Sequence, residues 1–342
     1  MKKVNRNKLK GVNLGGWLVL EKWITPSLFE GYKADDEYSL LNKFPKKAIR
    51  EHYKTFIKEE DFLFLSQNGI NAIRIPVGYW IFGDFPPYEK SIQYLDFAFD
   101  MAEKHGLKVL IDLHGAPGSQ NGYDHSGKSG EIGWDKDSNN IKLTLKIIEK
   151  IAERYCRKKV FFGIEVLNEP HISIDIDLLK SFYEEAYRII RKVCGEKIAV
   201  VISDSFRPLE FKNFLPYPKF TNVFLDSHFY QCFSDEFKKI KLRAFLRKGK
   251  REWGSTIKKM QKHLPMISGE WSLALNSRDF NEKLSVNNVQ EKQIFKNYQN
   301  FQKMQNKVFN KSAGWFFWTY KTEDPTDWSW NFRKLVESGF KF

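Results

Sequence analysis

The chain has 342 residues, 42% hydrophobic and 16% aromatic, and its 56 basic and 42 acidic residues leave a net charge of +14. That length buries a large core, as one α/β domain or two smaller ones, and no apolar run is long enough to span a membrane. Three scattered cysteines, Cys156, Cys194 and Cys232, have no Cys-x-x-Cys spacing and argue for free thiols over a disulfide framework or a zinc site.

The first stretch, Met1–Lys10, is basic, but no apolar segment follows it, so a reduced, cytoplasmic location is expected. Lysines are spread over the whole chain and are densest over Phe237–Arg251 and Lys142–Lys159. No nucleic-acid module is apparent, so a solvated lysine-rich surface is expected rather than a nucleic-acid partner. The segment Phe237–Arg251 (FKKIKLRAFLRKGKR) reads as a basic amphipathic helix or a patch for an anionic polymer.

In chain order, short apolar and β-branched runs predict strands over Lys10–Trp17, Ile70–Val77, Lys108–Leu113, Val160–Leu167, Ile198–Ser203, Val223–Phe229, Pro265–Gly269 and Gly314–Thr319. Helical spacing of apolar residues predicts helices between them, over Asp61–Gln67, Ile92–Lys104, Ile141–Arg154 and Leu178–Lys192. The first two end at the stop signals Asn68-Gly69 and His105-Gly106. Eight strand–helix alternations argue for a parallel sheet, and eight is the number that closes a barrel. The expected fold is a single-domain (β/α)8 TIM barrel over residues 1–342. An open doubly wound sheet is the rival, but Gly15-Gly16-Trp17 does not give the glycine-rich phosphate loop it would need.

Chemistry in such a barrel sits at the carboxyl ends of the strands. There the sequence offers Asn13 and Glu21, then Arg74, then His114 with the loop Gly115-Ala-Pro-Gly-Ser-Gln-Asn-Gly-Tyr-Asp124, then Asn168 and Glu169. His228 and Tyr230 follow the sixth strand, Glu270 the seventh and Trp318 the eighth. A carboxylate is costly to bury unless something holds it, so Glu169 and Glu270 at the mouths of buried strands suggest a pair built to work on a glycosidic bond. Arg74 lies in an apolar run where a lone guanidinium is expensive, and Glu165 is a candidate ion-pair partner. Taken singly, Glu169 also reads as a helix N-terminal acid beside Pro170, Glu270 as a rim charge and each histidine as a hydrogen-bonded core residue.

Asn-Glu-Pro170, Gly-Glu-Trp271 and Asp-Leu-His-Gly115 resemble the motifs of glycoside hydrolase family 5. The opening Gly11-Val-Asn-Leu-Gly-Gly-Trp-Leu-Val-Leu-Glu21, with Ile24–Glu30, Leu113–Gly122, His228-Phe-Tyr-Gln231 and Trp318–Glu323, resembles that family's exo-β-1,3-glucanase branch. The resemblance runs from residue 11 to about 332, with the segments around 232–264 and 275–300 divergent. It implies a retaining β-glucoside hydrolase that needs no cofactor and no metal. Glu169 would be the acid/base, with a raised pKa, and Glu270 the nucleophile. Arg74 and Tyr230 would support Glu270, Asn168 would bind the sugar 2-hydroxyl, and His114 and His228 would bind sugar hydroxyls or position the carboxylates. Glu21, Tyr123, Asp124, Phe233 and Trp318 would bind substrate, Tyr123 standing where the branch usually has phenylalanine. The implied partner is a β-glucan oligosaccharide or small β-glucoside. An endo-β-glucanase, a glycolipid β-glucosidase and a non-catalytic carbohydrate-binding protein are the alternative readings.

Overall fold

The structure is a computed structural model that describes residues 8–277, 291–324 and 328–342. The basic start before residue 8 and part of the divergent 275–300 segment therefore lie outside the described residues. Eight parallel strands close a barrel in sequence order: β1 (Leu9–Asn13), β2 (Ala72–Gly78), β3 (Lys108–Gly115), β4 (Phe161–Glu165), β5 (Ala199–Ser203), β6 (Val223–His228), β7 (Met266–Trp271) and β8 (Gly314–Phe317). The expected strands are all present, with shifted ends. β1 stops at Asn13 because the chain turns out of the sheet there, and β7 continues through Glu270 to Trp271.

The expected helices form over Glu59–Gln67, Ile92–His105, Ser138–Tyr155 and Ile176–Cys194. Their ends follow local chemistry. Asp175 caps one start by accepting from the N–H groups of Asp177 and Leu178, and Gly106, at φ 72°, closes the end at His105 in a conformation that favours glycine. The basic segment after β6 is not one helix. The chain breaks it between a short turn of helix, Asp235–Lys238, and a long helix, Leu242–Met260, that buries Phe245, Trp253 and Ile257 and leaves its cations outside.

Side chains two apart along a strand share a face, so the barrel interior is built in layers. The lower layer is apolar: Leu9, Ala72, Leu110, Phe162, Phe224, Ile267 and Phe316, with Ala199 and Val201, form their own cluster. Two residues further along, Ala72, Leu110 and Phe224 give way to Arg74, Asp112 and Asp226. A charged layer thus rests on an apolar floor, beneath the carboxyl-end rim.

The loop after β1 is tied down by Glu37, which is fully buried and accepts from the Leu20 N–H (2.9 Å) and the Tyr53 hydroxyl (3.3 Å). Burial pushes its carboxyl up to about 8. The folded state therefore keeps a proton that the unfolded chain, with an ordinary glutamate pKa of about 4.3, gives up sooner. This contribution to stability is complete below the unfolded value and is lost as pH rises through about 8. Denaturant titrations at pH 5 and pH 8 are expected to show the parent protein losing a few kcal/mol more than Glu37→Gln over that interval. Parallel losses would refute the assignment.

Candidate active site

Arg74 organises the site, and it does so from inside β2 rather than from the strand end: it is the third of seven strand residues, fully buried. Its Nε donates to Glu165 Oε2 (2.8 Å), Nη1 to Asn13 Oδ1 and Glu270 Oε1 (both 2.9 Å), and Nη2 to Asn168 Oδ1 (2.8 Å). Asp112 Oδ2 lies 3.1 Å from Nη2. Burial works against its charge, but Asp112, Glu165 and Glu270 outweigh it and hold the guanidinium well above its ordinary range. The Glu165 ion pair and the support of Glu270 are therefore two halves of one arrangement.

Glu270 is gripped from two sides. Arg74 meets Oε1, and the Tyr230 hydroxyl donates to Oε2 at 2.9 Å. Burial pushes its carboxyl upward, while His228 and Arg74 favour the charged form. The neighbouring Gly269 must be glycine. Its N–H donates to Asp226 Oδ1 (2.5 Å), and a Cβ there would fall 1.8 Å from Asp226 Oδ2. The β6–β7 register shifts between Asp226 and His228, a local irregularity of the kind that re-aims side chains beside active sites.

Glu169 stands just past β4 with φ at 41°, a left-handed conformation rare for a residue with a side chain. Gln120 fixes the approach by donating to the carbonyls of both His114 (2.7 Å) and Asn168 (2.9 Å), and Asn121 Nδ2 donates to the Glu169 carbonyl (3.2 Å). Glu169 Oε1 lies 2.5 Å from His228 Nδ1, and Oε2 lies 3.6 Å from His125 Nε2. Glu169, His228 and Glu270 each bring a ligand atom within 4.8 Å of the others, so the two carboxylates meet across the barrel mouth.

The expectation of a raised Glu169 pKa is corrected. Burial alone would raise it, but the His228 charge and hydrogen bond, joined by His125 and His114, bring it down to about 2. His228 itself is disfavoured as a cation by burial, yet Glu270, Asp226 and Glu169 hold it well above the ordinary imidazole range. Each group thus favours the charged form of the other across this contact.

The remaining predicted residues gather around this pair. His114 is held through Nδ1 by Asp112 Oδ2 (2.6 Å) and stacks on Trp318, with centroids 5.4 Å apart and planes within 9°. Asn168 is buried, and its Nδ2 has no hydrogen-bond partner among the described residues. Glu21 is buried too. Oε2 accepts from Trp23 Nε1 (2.9 Å), Oε1 has no partner among the described residues, and burial followed by the charge of Asp124 pushes its pKa well up. Tyr123 and Phe233 are 48% and 70% exposed. Tyr123 neighbours His125 on the Glu169 side (5.5 Å), and Phe233 packs on Tyr230 on the Glu270 side (5.4 Å).

Five contributors were not singled out from the sequence: Asp112, Asp226, His125, Trp23 and Trp330. A signal for the first two was present, since Asp112-x-His114 and Asp226-x-His228 repeat at the spacing that puts two side chains on one face of a strand. Trp330 is met only in space, beside Trp23 (5.5 Å), Tyr230 (5.5 Å) and Phe233 (6.1 Å). Glu165, Asp226 and His228, like Glu169, His228 and Glu270, are close enough to ligate a cation. However, Arg74 already pairs with Glu165 and with Glu270, and a divalent ion would have to share both carboxylates with a guanidinium.

Residues 37–324 match the family described as Cellulase (glycosyl hydrolase family 5). A glucan 1,3-beta-glucosidase of Schwanniomyces occidentalis is 37% identical, the alignment covering 97% of this chain and 87% of that protein. The glucan 1,3-beta-glucosidase of Pichia angusta is 35% identical, with 94% and 83% covered. Among solved structures, a rutinosidase from Aspergillus niger superposes with a TM-score of 0.76 at 19% identity, over 97% of each chain, which supports the fold. The chain belongs to glycosyl hydrolase family 5 and is a glycoside hydrolase.

Proposed function

We propose that the protein is a retaining β-glucoside hydrolase that removes terminal glucose from β-1,3-linked glucans, their oligosaccharides or small β-glucosides. The observation that carries this reading is the pair Glu169 and Glu270, with oxygens inside 4.8 Å and His228 between them, while Arg74 and Tyr230 hold Glu270 alone. Retaining glycosidases hold their carboxyl groups about 5–5.5 Å apart, and inverting ones hold them further apart to admit a water. Glu270, fixed by Arg74 and Tyr230, attacks the anomeric carbon as the bond to the leaving oxygen breaks. Glu169 delivers the proton to that oxygen. It draws this proton across the short hydrogen bond from His228, then takes one from the water that cleaves the glycosyl-enzyme. The free Nδ2 of Asn168 supplies a donor for the sugar 2-hydroxyl, a contact that strengthens in the transition state.

Exo action rests on Glu21. Its buried, unpartnered Oε1 beside Asp124 suits a hydroxyl of the terminal sugar, and Trp23 holds the other oxygen. Trp318 forms a wall beside His114, and the exposed Tyr123 and Phe233 flank the mouth where the leaving-group sugar would sit. Digestion of β-1,3 oligosaccharides is expected to release glucose one unit at a time, with the β-anomer appearing first by NMR. Glu21→Gln is expected to raise KM for the trisaccharide about tenfold or more while the anomer stays β. Mid-chain products would favour an endo-glucanase, and an α-anomer would rule out retention.

A further inference from the structure

We propose that the face of the barrel opposite the active site is a docking surface for an acidic polysaccharide. In a parallel barrel every strand begins at the same end, so residues leading into strands share one face. On that face Lys108, Arg157, Lys158, Lys159 and Lys197 cluster at the starts of β3, β4 and β5. They line two adjoining concavities of about 300 and 210 Å³ that share Lys159, Phe161 and Lys197 and have no acidic lining residue. Lys219, Lys262 and Lys311, all exposed, precede β6, β7 and β8 and extend the charge around the rim. Glu196 is the one carboxylate within the described segments 156–160, 195–198, 218–222, 261–265 and 310–313, and Lys158 pairs with Asp100. Arg157, Lys159 and Lys197 are exposed and form no ion pair among the described residues. The opposite rim carries Glu21, Asp124, Glu169 and Glu270.

Cations near helix C-termini commonly offset the helix dipole, which accounts for Arg191 and Lys192 in the last turn of the Ile176–Cys194 helix. It does not account for Arg157, Lys159 and Lys197, which lie beyond the helix ends in a shared recess. Mutual repulsion of such a cluster is relieved by an extended counter-anion. The occupant follows from what the face lacks. Phe161 and Phe162 are buried, so the groove offers no aromatic platform for bases and no apolar wedge for a bilayer. Lysine outnumbers arginine four to one among the five groove cations, which suits diffuse charge attraction better than bidentate phosphate recognition. A flexible, acidic sugar chain fits these features. The choice of a sugar polymer also rests on the glucosidase reading, since such docking would hold the catalytic mouth open toward neutral glucans nearby.

The test is binding of the full chain to soluble polygalacturonate and retention on a sulfated-polysaccharide column. Tight binding at low salt and release as salt rises are expected. Arg157→Glu/Lys159→Glu/Lys197→Glu should bind about tenfold or more weakly, while Lys47→Glu/Lys54→Glu/Lys142→Glu, with the same net charge change on the helices Lys46–Thr55 and Ser138–Tyr155, stays close to the parent. The milder Lys159→Gln/Lys197→Gln variant should show an intermediate loss if the triple variant fails to fold. Turnover of an aryl β-glucoside should be equal in all folded variants, so a failed glucosidase reading would show as absent turnover in the parent and leave the binding result standing. Equal loss in both triple variants, or tighter binding to anionic phospholipid vesicles or single-stranded DNA than to the polysaccharide, would overturn the proposal.

Discussion

Glu270→Ala is expected to lower kcat on an aryl β-glucoside by about 10⁴-fold or more, because no other group can form the glycosyl-enzyme. Glu169→Ala should behave differently. Cleavage of substrates with poor leaving groups should fall by about 10²- to 10⁴-fold, while a dinitrophenyl glucoside, which needs no proton, still forms the intermediate. Azide separates the two roles. In Glu169→Ala it enters where the base was and yields the β-glucosyl azide, whereas in Glu270→Ala it attacks the substrate directly and yields the α-anomer. The same anomer from both variants would break the assignment, as would parental activity in Glu270→Ala.

Arg74→Met should be the most damaging substitution for stability. The guanidinium is the shared partner of Glu165, Asp112 and Glu270, all of them buried. Removing one partner of a buried ion pair costs about 3–5 kcal/mol, because the charge left behind has neither water nor a counter-ion. The surviving carboxyls must then take up protons, so the deficit measured by urea denaturation should shrink as pH falls from 7 to 5. Activity should fall with it, by about 10²-fold or more, since Glu270 loses the donor that fixes Oε1. Arg74→Lys keeps a charge but not the fork that reaches Asn13, Asn168, Glu165 and Glu270 together, and should recover stability more than rate. A fully stable Arg74→Met would show that the cluster is not held by this charge.

The sequence by itself determined the barrel and pointed to the carboxylate pair proposed to be catalytic. Eight apolar β-branched runs with helical intervals are a local property of the chain, and local periodicity survives without knowledge of contacts. Glu169 and Glu270 were legible because each ends such a run with a distinctive neighbour, Pro170 or Trp271. Strand ends were less legible: Glu270 lies inside β7, because strand limits depend on which neighbour supplies the hydrogen bonds. Only the tertiary structure decided the electrostatics. Arg74, Asp112, Glu165, Asp226 and His228 come from four different strands, and the field each one feels is set by distances across the barrel. That is why Glu169, expected to be raised, is lowered by an imidazole 59 positions away in the chain and 2.5 Å away in space. The same holds for the positive charge. In the sequence it is spread over the chain, and parallel closure of the barrel collects part of it at the starts of the strands, opposite the rim that holds Glu169 and Glu270.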